Sequence, residues 1–149
     1  MKKILAFVMA SMIAALGAIP CYAADSNPES SSVTVYQLEN GITVERTILE
    51  SDISTYATKQ KRGTTKQTYR IGSDVIAVVS LTATFWYDGS DSGVVSTSSA
   101  HTTYDDWSYG DESIWDRGDT AYLSAVLESS IGTVDVDLSL SCSPSGQLS

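Results

Sequence analysis

The chain has 149 residues, 18 of them acidic and 9 basic, which gives a formal net charge of −9 at pH 7. This length fits one domain that can bury a core of its own. The acidic balance argues against binding of nucleic acid or anionic lipid through general electrostatics.

The first 23 residues have the pattern of a secretory signal peptide. Two lysines precede an uncharged apolar run over residues 4–19, and Cys21 and Ala23 place small residues at positions −3 and −1 of a cleavage site. The run is shorter than the roughly 20 residues that a membrane-spanning helix needs. We therefore predict export with cleavage after Ala23. A retained membrane anchor and an acylated Cys21 are the less favoured alternatives.

Cleavage changes the charge and the cysteine content of the predicted mature chain. Loss of two lysines leaves 7 basic and 18 acidic residues, a net charge of −11 (7 minus 18). Cys142 then stands alone, so the mature chain forms no internal disulfide and depends on packing. Cys142 either cross-links two copies or, as we prefer, is a buried small hydrophobe at the end of a strand.

Residues 24–54 are predicted to form a flexible polar lead, ending near Ser32, and then a β-hairpin. Alternating runs on either side of Asn40 and Gly41 make this Asn-Gly pair a strong hairpin signal. We expect a two-residue turn in which both residues have positive φ. The hairpin either joins the main sheet or is an appendage to the β-sandwich domain predicted over residues 55–149.

The stretch Val75–Tyr87 has the strongest strand pattern and is predicted to be the central strand. From Val79 onward its odd positions are apolar and hydroxyl residues lie between them, which fits one buried and one solvated face. Before it, we expect a connector over residues 50–56 and an exposed strand over Thr64–Ile71.

Three further strands are predicted over residues 94–104, 120–128 and 133–141. Residues 104–119 have no clean period and receive no strand. The total is about seven short strands separated by regular turn signals, which favours an all-β fold, an antiparallel β-sandwich that is immunoglobulin-like or similar. A small β-barrel is the alternative.

Four segments follow one another along the second half of the chain: Leu81–Gly89, Asp106–Tyr109, Arg117–Ala121 and Leu138–Ser149. Together they resemble a family of small secreted, Ser/Thr-rich β proteins of Firmicutes, and the similarity runs from Tyr56 to Ser149 and, more loosely, from Gly41 to Ile48. The resemblance implies export and a β fold. It carries over no catalytic residue.

The segment from Tyr104 to Trp115 is the predicted ligand-binding surface. Aromatic rings stack on the C–H faces of sugars beside carboxylates that accept hydroxyl hydrogen bonds, and aromatic residues are also favoured at protein interfaces. The candidate residues are Tyr104, Asp106, Trp107, Tyr109 and Trp115. The interpretation that we prefer for the two tryptophans is structural, in which they close one end of the sandwich.

Three other motifs carry weaker predictions. Arg117, Gly118 and Asp119 form the adhesion tripeptide that integrins recognise, although turn chemistry explains them first. The loop Asp88–Gly93 has oxygen atoms suited to calcium, but it lacks the spacing of an EF-hand, so we expect a turn and no cofactor. His101 is the sole histidine and stands near no nucleophile motif, so neither a catalytic residue nor a zinc site is predicted.

Five basic residues fall within twelve positions: Lys59, Lys61, Arg62, Lys66 and Arg70. Cross-strand pairing with acidic neighbours is the preferred interpretation of this cluster. The alternative is a docking patch for an anionic polymer, such as a cell-wall phosphate polymer or an acidic glycan.

Together these patterns predict an exported, non-catalytic β-sandwich that serves as a surface or ligand-interaction module. We expect a glycan or protein of the cell envelope or of a host surface as its partner, and neither nucleic acid nor a stable membrane span. A membrane-active secreted protein is the alternative, suggested by the Ser/Thr alternation of Val94–Thr103. A hydrolase is the least favoured reading.

Overall fold

The computed structural model describes residues 29–53 and 59–149. The predicted signal peptide (1–23), with Cys21 and the cleavage site after Ala23, lies outside the described residues. Within them the chain forms β-strands and no helix, so this part has no helix long and apolar enough to cross a membrane.

The eight described strands are β1 (Glu29–Gln37), β2 (Ile42–Ile53), β3 (Lys59–Ile71), β4 (Asp74–Tyr87), β5 (Ser92–Thr103), β6 (Ser108–Arg117), β7 (Thr120–Ser129) and β8 (Gly132–Ser141). Strands β1 to β5 form one antiparallel sheet in sequence order, and β6 to β8 form a second. The sheets pack in a sandwich-like arrangement and do not close into a barrel. The all-β sandwich prediction is therefore confirmed, and the barrel alternative is wrong.

The core lies between β2, β3 and β4 of the first sheet and β7 and β8 of the second. Because successive side chains of a strand point to opposite faces, every second residue of these strands points towards the other sheet. The largest fully buried apolar side chains are Tyr69, Leu81, Phe85, Leu123, Leu127 and Leu140. The predicted strand Val75–Tyr87 corresponds to β4, although β3 rather than β4 is the middle strand of its sheet.

The strand that the sequence pattern missed is β6, in the segment without a clean period. Its pairing with β7 contains a bulge between Gly110 and Ser113, and Asp111 there has a φ of 52°. A bulge inserts an extra residue and so reverses which positions point inward. Tyr109 therefore packs against the core from an odd position and Ile114 from an even one. This change of parity hides the period-two signal.

The N-terminal hairpin is present, but its bounds and its turn differ from the prediction. β1 begins at Glu29, inside the predicted lead, and β2 runs to Ile53, through part of the predicted connector. The amide of Gly41 donates to the carbonyl of Leu38, and Gly41 alone in this turn has positive φ. A three-residue loop with one left-handed residue fits this pattern, so the expected two-residue turn is wrong. β2 pairs with β3 along its length.

β3 was expected to be exposed, and it is instead held between two neighbours. It pairs with β2 on one side and with β4 on the other. Thr65, Gln67 and Tyr69 point inward and are buried. Their polar atoms are hydrogen-bonded, because the hydroxyl of Tyr69 donates to Gln67 and Thr65 accepts from Arg46. The sequence of β3 resembles that of an exposed strand because several of its inward side chains are polar. They are buried nevertheless, since each has a hydrogen-bond partner inside the sandwich.

Cys142 follows β8 directly and is fully buried. It forms an isolated bridge with Leu148, so the C-terminal tail folds back over the end of the sandwich. The side chain of Leu148 fills the space beside Gly63, where an added Cβ would lie 2.4 Å from its Cδ1 atom. The thiol is therefore out of reach of a second folded copy, as the preferred interpretation of Cys142 requires.

Candidate functional site

Four turns lie at the same end of the sandwich, because the strands alternate in direction and each of these turns follows an odd-numbered strand. They connect β1 to β2, β3 to β4, β5 to β6 and β7 to β8. We call this end of the molecule the turn end. Loops gathered at one end of a rigid sandwich are a common place for binding sites.

An open pocket of about 160 Å³ lies at the turn end, and residues from all four turn regions line it. We call it the turn-end pocket. Its lining consists of Asn40, Ile42, Ile71, Trp107, Ile131, Gly132 and Thr133. Ile42 and Trp107 are buried and form the inner wall, whereas Ile71 and Ile131 are 38% and 72% exposed. The pocket is therefore an apolar hollow whose rim is open to water.

The turn between β5 and β6 places Trp107 in this pocket. The amide of Tyr104 donates to the carbonyl of Ile76 (3.0 Å), and the amide of Trp107 donates to the carbonyl of Tyr104 (3.2 Å). Asp105 between them has a φ of 56°, a left-handed conformation that aspartate tolerates better than most residues. These bonds turn the indole inward over the end of the core.

Asp106 joins this turn to the turn between β7 and β8. Its carboxylate accepts hydrogen bonds from the hydroxyl of Ser130 (2.6 Å) and from the amide of Ser130 (3.4 Å). The two bonds favour the charged form and hold the pKa of Asp106 below its usual value. Because Ile131 follows Ser130 directly, Asp106 helps to fix one wall of the turn-end pocket.

The remaining predicted site residues lie apart from the pocket. Tyr104 is exposed on the same end but does not line the hollow. Trp115 lies on β6, with its ring stacked on Tyr122 of β7 at a centroid separation of 5.4 Å. Since Tyr122 covers one face of the indole, the exposed area of Trp115 comes from its edges and its other face. Only Trp107 and Asp106 of the five predicted residues therefore contribute to the pocket.

Tyr109 belongs to a polar cluster that joins β5 to β6. Its hydroxyl and that of Ser99 both donate to the Glu112 carboxylate, at 2.6 and 2.8 Å. Its ring stacks on His101 at 3.9 Å. Burial first, and then the bond to Glu112, raise the pKa of Tyr109. In the described part of the chain His101 hydrogen-bonds to no serine and no carboxylate, so the triad geometry is not formed.

Arg117, Gly118 and Asp119 occupy the exposed turn between β6 and β7, at the opposite end from the pocket. Gly118 has a φ of 66°, and its carbonyl accepts a hydrogen bond from the Val94 amide (3.2 Å). The carbonyl of Asp119 accepts from the Cys142 amide (3.0 Å). The tripeptide thus serves as a turn bonded to both sheets, and its proposed role in adhesion stays a prediction.

The loop that offered calcium ligands forms a hydrogen-bonded turn. One carboxylate oxygen of Asp88 accepts from the amide and hydroxyl of Ser90 (2.8 and 2.7 Å) and from the amide of Asp91 (2.8 Å). These bonds lower the pKa of Asp88. Across residues 29–53 and 59–149, no group of three or more His, Cys, Asp or Glu side chains is arranged to hold a metal ion.

The basic segment divides between the two sides of β3. Lys61 points inward and forms ion pairs with Glu50 (3.1 Å) and Asp52 (3.7 Å). Arg62, Lys66 and Arg70 lie on the outer side, and none of the three has an ion pair with any described residue. Cross-strand pairing therefore accounts for Lys61 but not for the outer residues.

Most lining residues of the turn-end pocket were not predicted from the sequence. A usable signal was nevertheless present, because Ile71 and Ile131 each stand directly before a turn glycine, Gly72 or Gly132. Turns usually carry polar residues. A large apolar residue at a turn therefore indicates a surface that contacts another part of the protein or a partner. Searches against family models, curated proteins and solved structures found no match to this chain.

Proposed function

We propose that the protein is an exported, non-catalytic β-sandwich that binds a protein partner by receiving one apolar side chain of that partner in the turn-end pocket. The observation that carries this proposal is the pocket itself, with Trp107 in its inner wall and Ile71 and Ile131 exposed at its rim. Export is supported by the signal-peptide pattern of residues 1–23.

The size of the pocket suits one side chain. An apolar cavity of about 150 Å³ accommodates benzene, so a volume of about 160 Å³ accepts a leucine or phenylalanine side chain. Asn40 and Thr133 supply polar groups at the edge, where they can bond to the partner's backbone. Buried anchors of this kind, surrounded by a polar rim, contribute much of the affinity of protein interfaces.

The exposed isoleucines supply the driving force. Complete burial of an isoleucine side chain is worth roughly 1.5–3 kcal/mol, and a partner that covers the pocket would gain most of this at Ile131 and a smaller part at Ile71. No lining residue has a titratable side chain, so the proposal assigns binding and no chemical step to the pocket.

A matched pair of substitutions tests the proposal. Ile131→Ser removes the most exposed wall of the pocket, whereas Val95→Ser removes a comparably exposed residue (51%) from β5. The mature protein and both variants are used to capture proteins from the producer's envelope and from a host-cell surface. We expect Ile131→Ser to weaken capture at least tenfold and Val95→Ser to leave it unchanged. Equal capture by all three proteins would refute the pocket as the binding site.

Tryptophan fluorescence gives an independent reading of the pocket. A protein with Trp86→Phe and Trp115→Phe keeps Trp107 as its one tryptophan. We expect toluene, the side-chain analogue of phenylalanine, to shift the emission of this protein in a saturable manner. Ile131→Ser on the same background is expected to weaken the saturation. A strictly linear response in both proteins would mean that the hollow holds no side chain.

A further inference from the structure

A row of three cations lies on the outer face of the first sheet. Inward positions of β3 alternate with Arg62, Lys66 and Arg70, which therefore share the side of the sheet that faces away from the core. A strand rises about 3.3 Å per residue, so the Cα atoms of neighbouring basic residues are roughly 13 Å apart and the row is roughly 26 Å long. We call this surface the β3 outer face.

The protein makes little use of these charges itself. Each ion pair among the described residues belongs to Lys61 on the other side of the strand. Arg62 and Arg70 form one long hydrogen bond each, to the hydroxyl of Thr84 and the carbonyl of Ser73, both at 3.5 Å. Two carboxylates stand near the row, namely Glu45, which lies opposite Thr68 on β2, and Asp74 after the following turn. Neither forms an ion pair with the row.

Hydroxyl groups line the row on the β4 and β5 side. Thr64 of β3 hydrogen-bonds to Thr82 of β4 at 2.8 Å, and Thr82 lies opposite Ser98 of β5. Ser80 lies opposite Lys66 on the same face. Arginine forks and hydroxyl donors are the groups that proteins direct at phosphate oxygens.

The net negative charge of the protein does not cancel this local positive field. Carboxylates such as Asp135 and Asp137 are exposed on β8, in the other sheet. Packed sheets are about 10 Å apart, before side chains are counted. The Debye length is about 8 Å at physiological ionic strength, so charges on one outer face are largely screened from a ligand on the other.

We propose that the β3 outer face binds a linear polymer of phosphodiester-linked polyols. The length of the row exceeds what a single phosphate ion can span, whereas an extended chain with a phosphate in every repeat can meet all three cations. Hydroxyl groups beside the row match the hydroxyls of the polyol units. Because the row lies on the outer face of the sheet and the turn-end pocket lies at the end of the sandwich, the polymer holds the protein at an envelope while the pocket stays free for a partner.

The test measures binding of the predicted mature protein to poly(glycerol phosphate) as a function of salt. Each phosphate contact contributes about −0.7 to the slope of log K against log salt for a single-stranded polyanion. Three contacts predict a slope of about −2, which is roughly 20-fold weaker binding at 200 mM than at 50 mM salt. The triple variant Arg62→Gln, Lys66→Gln, Arg70→Gln is expected to lose both the binding and the slope.

Controls separate charge from folding and from other polymers. Arg62→Lys and Arg70→Lys together should keep the slope, and Arg117→Gln, on the other sheet, should keep both affinity and slope. Unchanged melting of each variant establishes that it is folded. An absence of binding, or binding that survives the triple substitution, would overturn the proposal. Tighter binding of an oligothymidylate of equal charge would also overturn it, because the ligand would then be a nucleic acid.

Discussion

Two neighbouring strands of one sheet face the second sheet in different ways. The inward positions of β4 include Val79, Leu81 and Phe85, which are fully buried under β7 and β8. The β5 partners of the first two are polar, since His101 lies opposite Val79 and Ser99 lies opposite Leu81, whereas Phe85 lies opposite Val94. β4 and β5 are antiparallel strands of the same sheet, yet the inward side chains of β4 form an apolar core, whereas His101 and Ser99 at the paired positions on β5 belong to a polar cluster.

The difference follows from the position of each strand. β4 has neighbours on both sides, so water is excluded from its inner face, whereas β5 is the last strand of its sheet. Polar residues on the inner side of an edge strand keep their hydration and discourage pairing with another chain. The residues buried at β4 should therefore contribute most to the free energy of unfolding. The β5 cluster should contribute less, and its main role should be to hold β6 in its orientation. Four predictions test this division.

The largest effect is expected at the β4 side. Leu81→Ala removes a fully buried side chain and should lower the free energy of unfolding by about 3 kcal/mol, within the usual range of 2–5. Ser99→Ala, at the paired position on β5, should cost less than about 1 kcal/mol. Urea unfolding of both variants measures the difference. Equal losses would mean that the two strands contribute alike.

Alkaline pH should also destabilise the buried side. Burial, followed by the nearby Tyr36 and Asp137, raises the pKa of Tyr69 far above its usual value of 10.0. Above pH 10 the unfolded phenol loses its proton while the folded one keeps it. The stabilisation is thus complete below pH 10 and declines above it by up to about 1.4 kcal/mol per pH unit. Tyr69→Phe should make this decline less steep between pH 9 and 11, and exposed Tyr104→Phe should not.

An intermediate effect is expected where a charged side chain joins the sheets. Arg46 points inward from β2, and its guanidinium donates to the carbonyl of Ser139 on the free edge of β8 (2.7 Å). Arg46→Met keeps the apolar stem but leaves this carbonyl without the donor. We expect a loss of about 1 kcal/mol in thermal or urea unfolding, since water can reach the half-buried site. Arg46→Lys should recover part of it, and a neutral effect of Arg46→Met would show that water replaces the donor fully.

The smallest effect is expected in the β5 cluster. Glu112→Gln weakens the charge-assisted hydrogen bonds from Ser99 and Tyr109 and should cost about 0.5–1 kcal/mol. Glu128→Gln makes the same charge change at an exposed position of β7 and is expected to be neutral. The hydroxyl and ring resonances of Tyr109 should shift only in the first variant. Should the two variants unfold alike, the cluster contributes nothing beyond its charge.

The strand pattern could be predicted from the sequence, and the site mostly could not. β7 and β8 are visible as alternation because their pairing has no register shift, and β4 is visible because its inward positions alternate from Ala77 to Phe85, beyond the shift at its start. β6 escaped prediction because the bulge at Gly110–Ser113 reverses its parity, and β3 was assigned to the surface because Thr65 and Gln67 look like solvent-facing residues. Trp107 was predicted to bind a ligand or to close one end of the sandwich, and it lies buried at that end, in the wall of the turn-end pocket.

By itself, the sequence determined that the chain forms strands whose side chains point alternately to the core and to the solvent, as in a β-sandwich. Side-chain direction along a strand is a local property with period two. The sequence also determined where most strands turn, since Gly and Asp mark those positions. Only the tertiary structure decided that the chain divides into sheets of five and three strands. The same packing brings Ile42, Trp107 and Ile131 together, although they are far apart in sequence, because contacts between distant residues depend on how whole sheets pack.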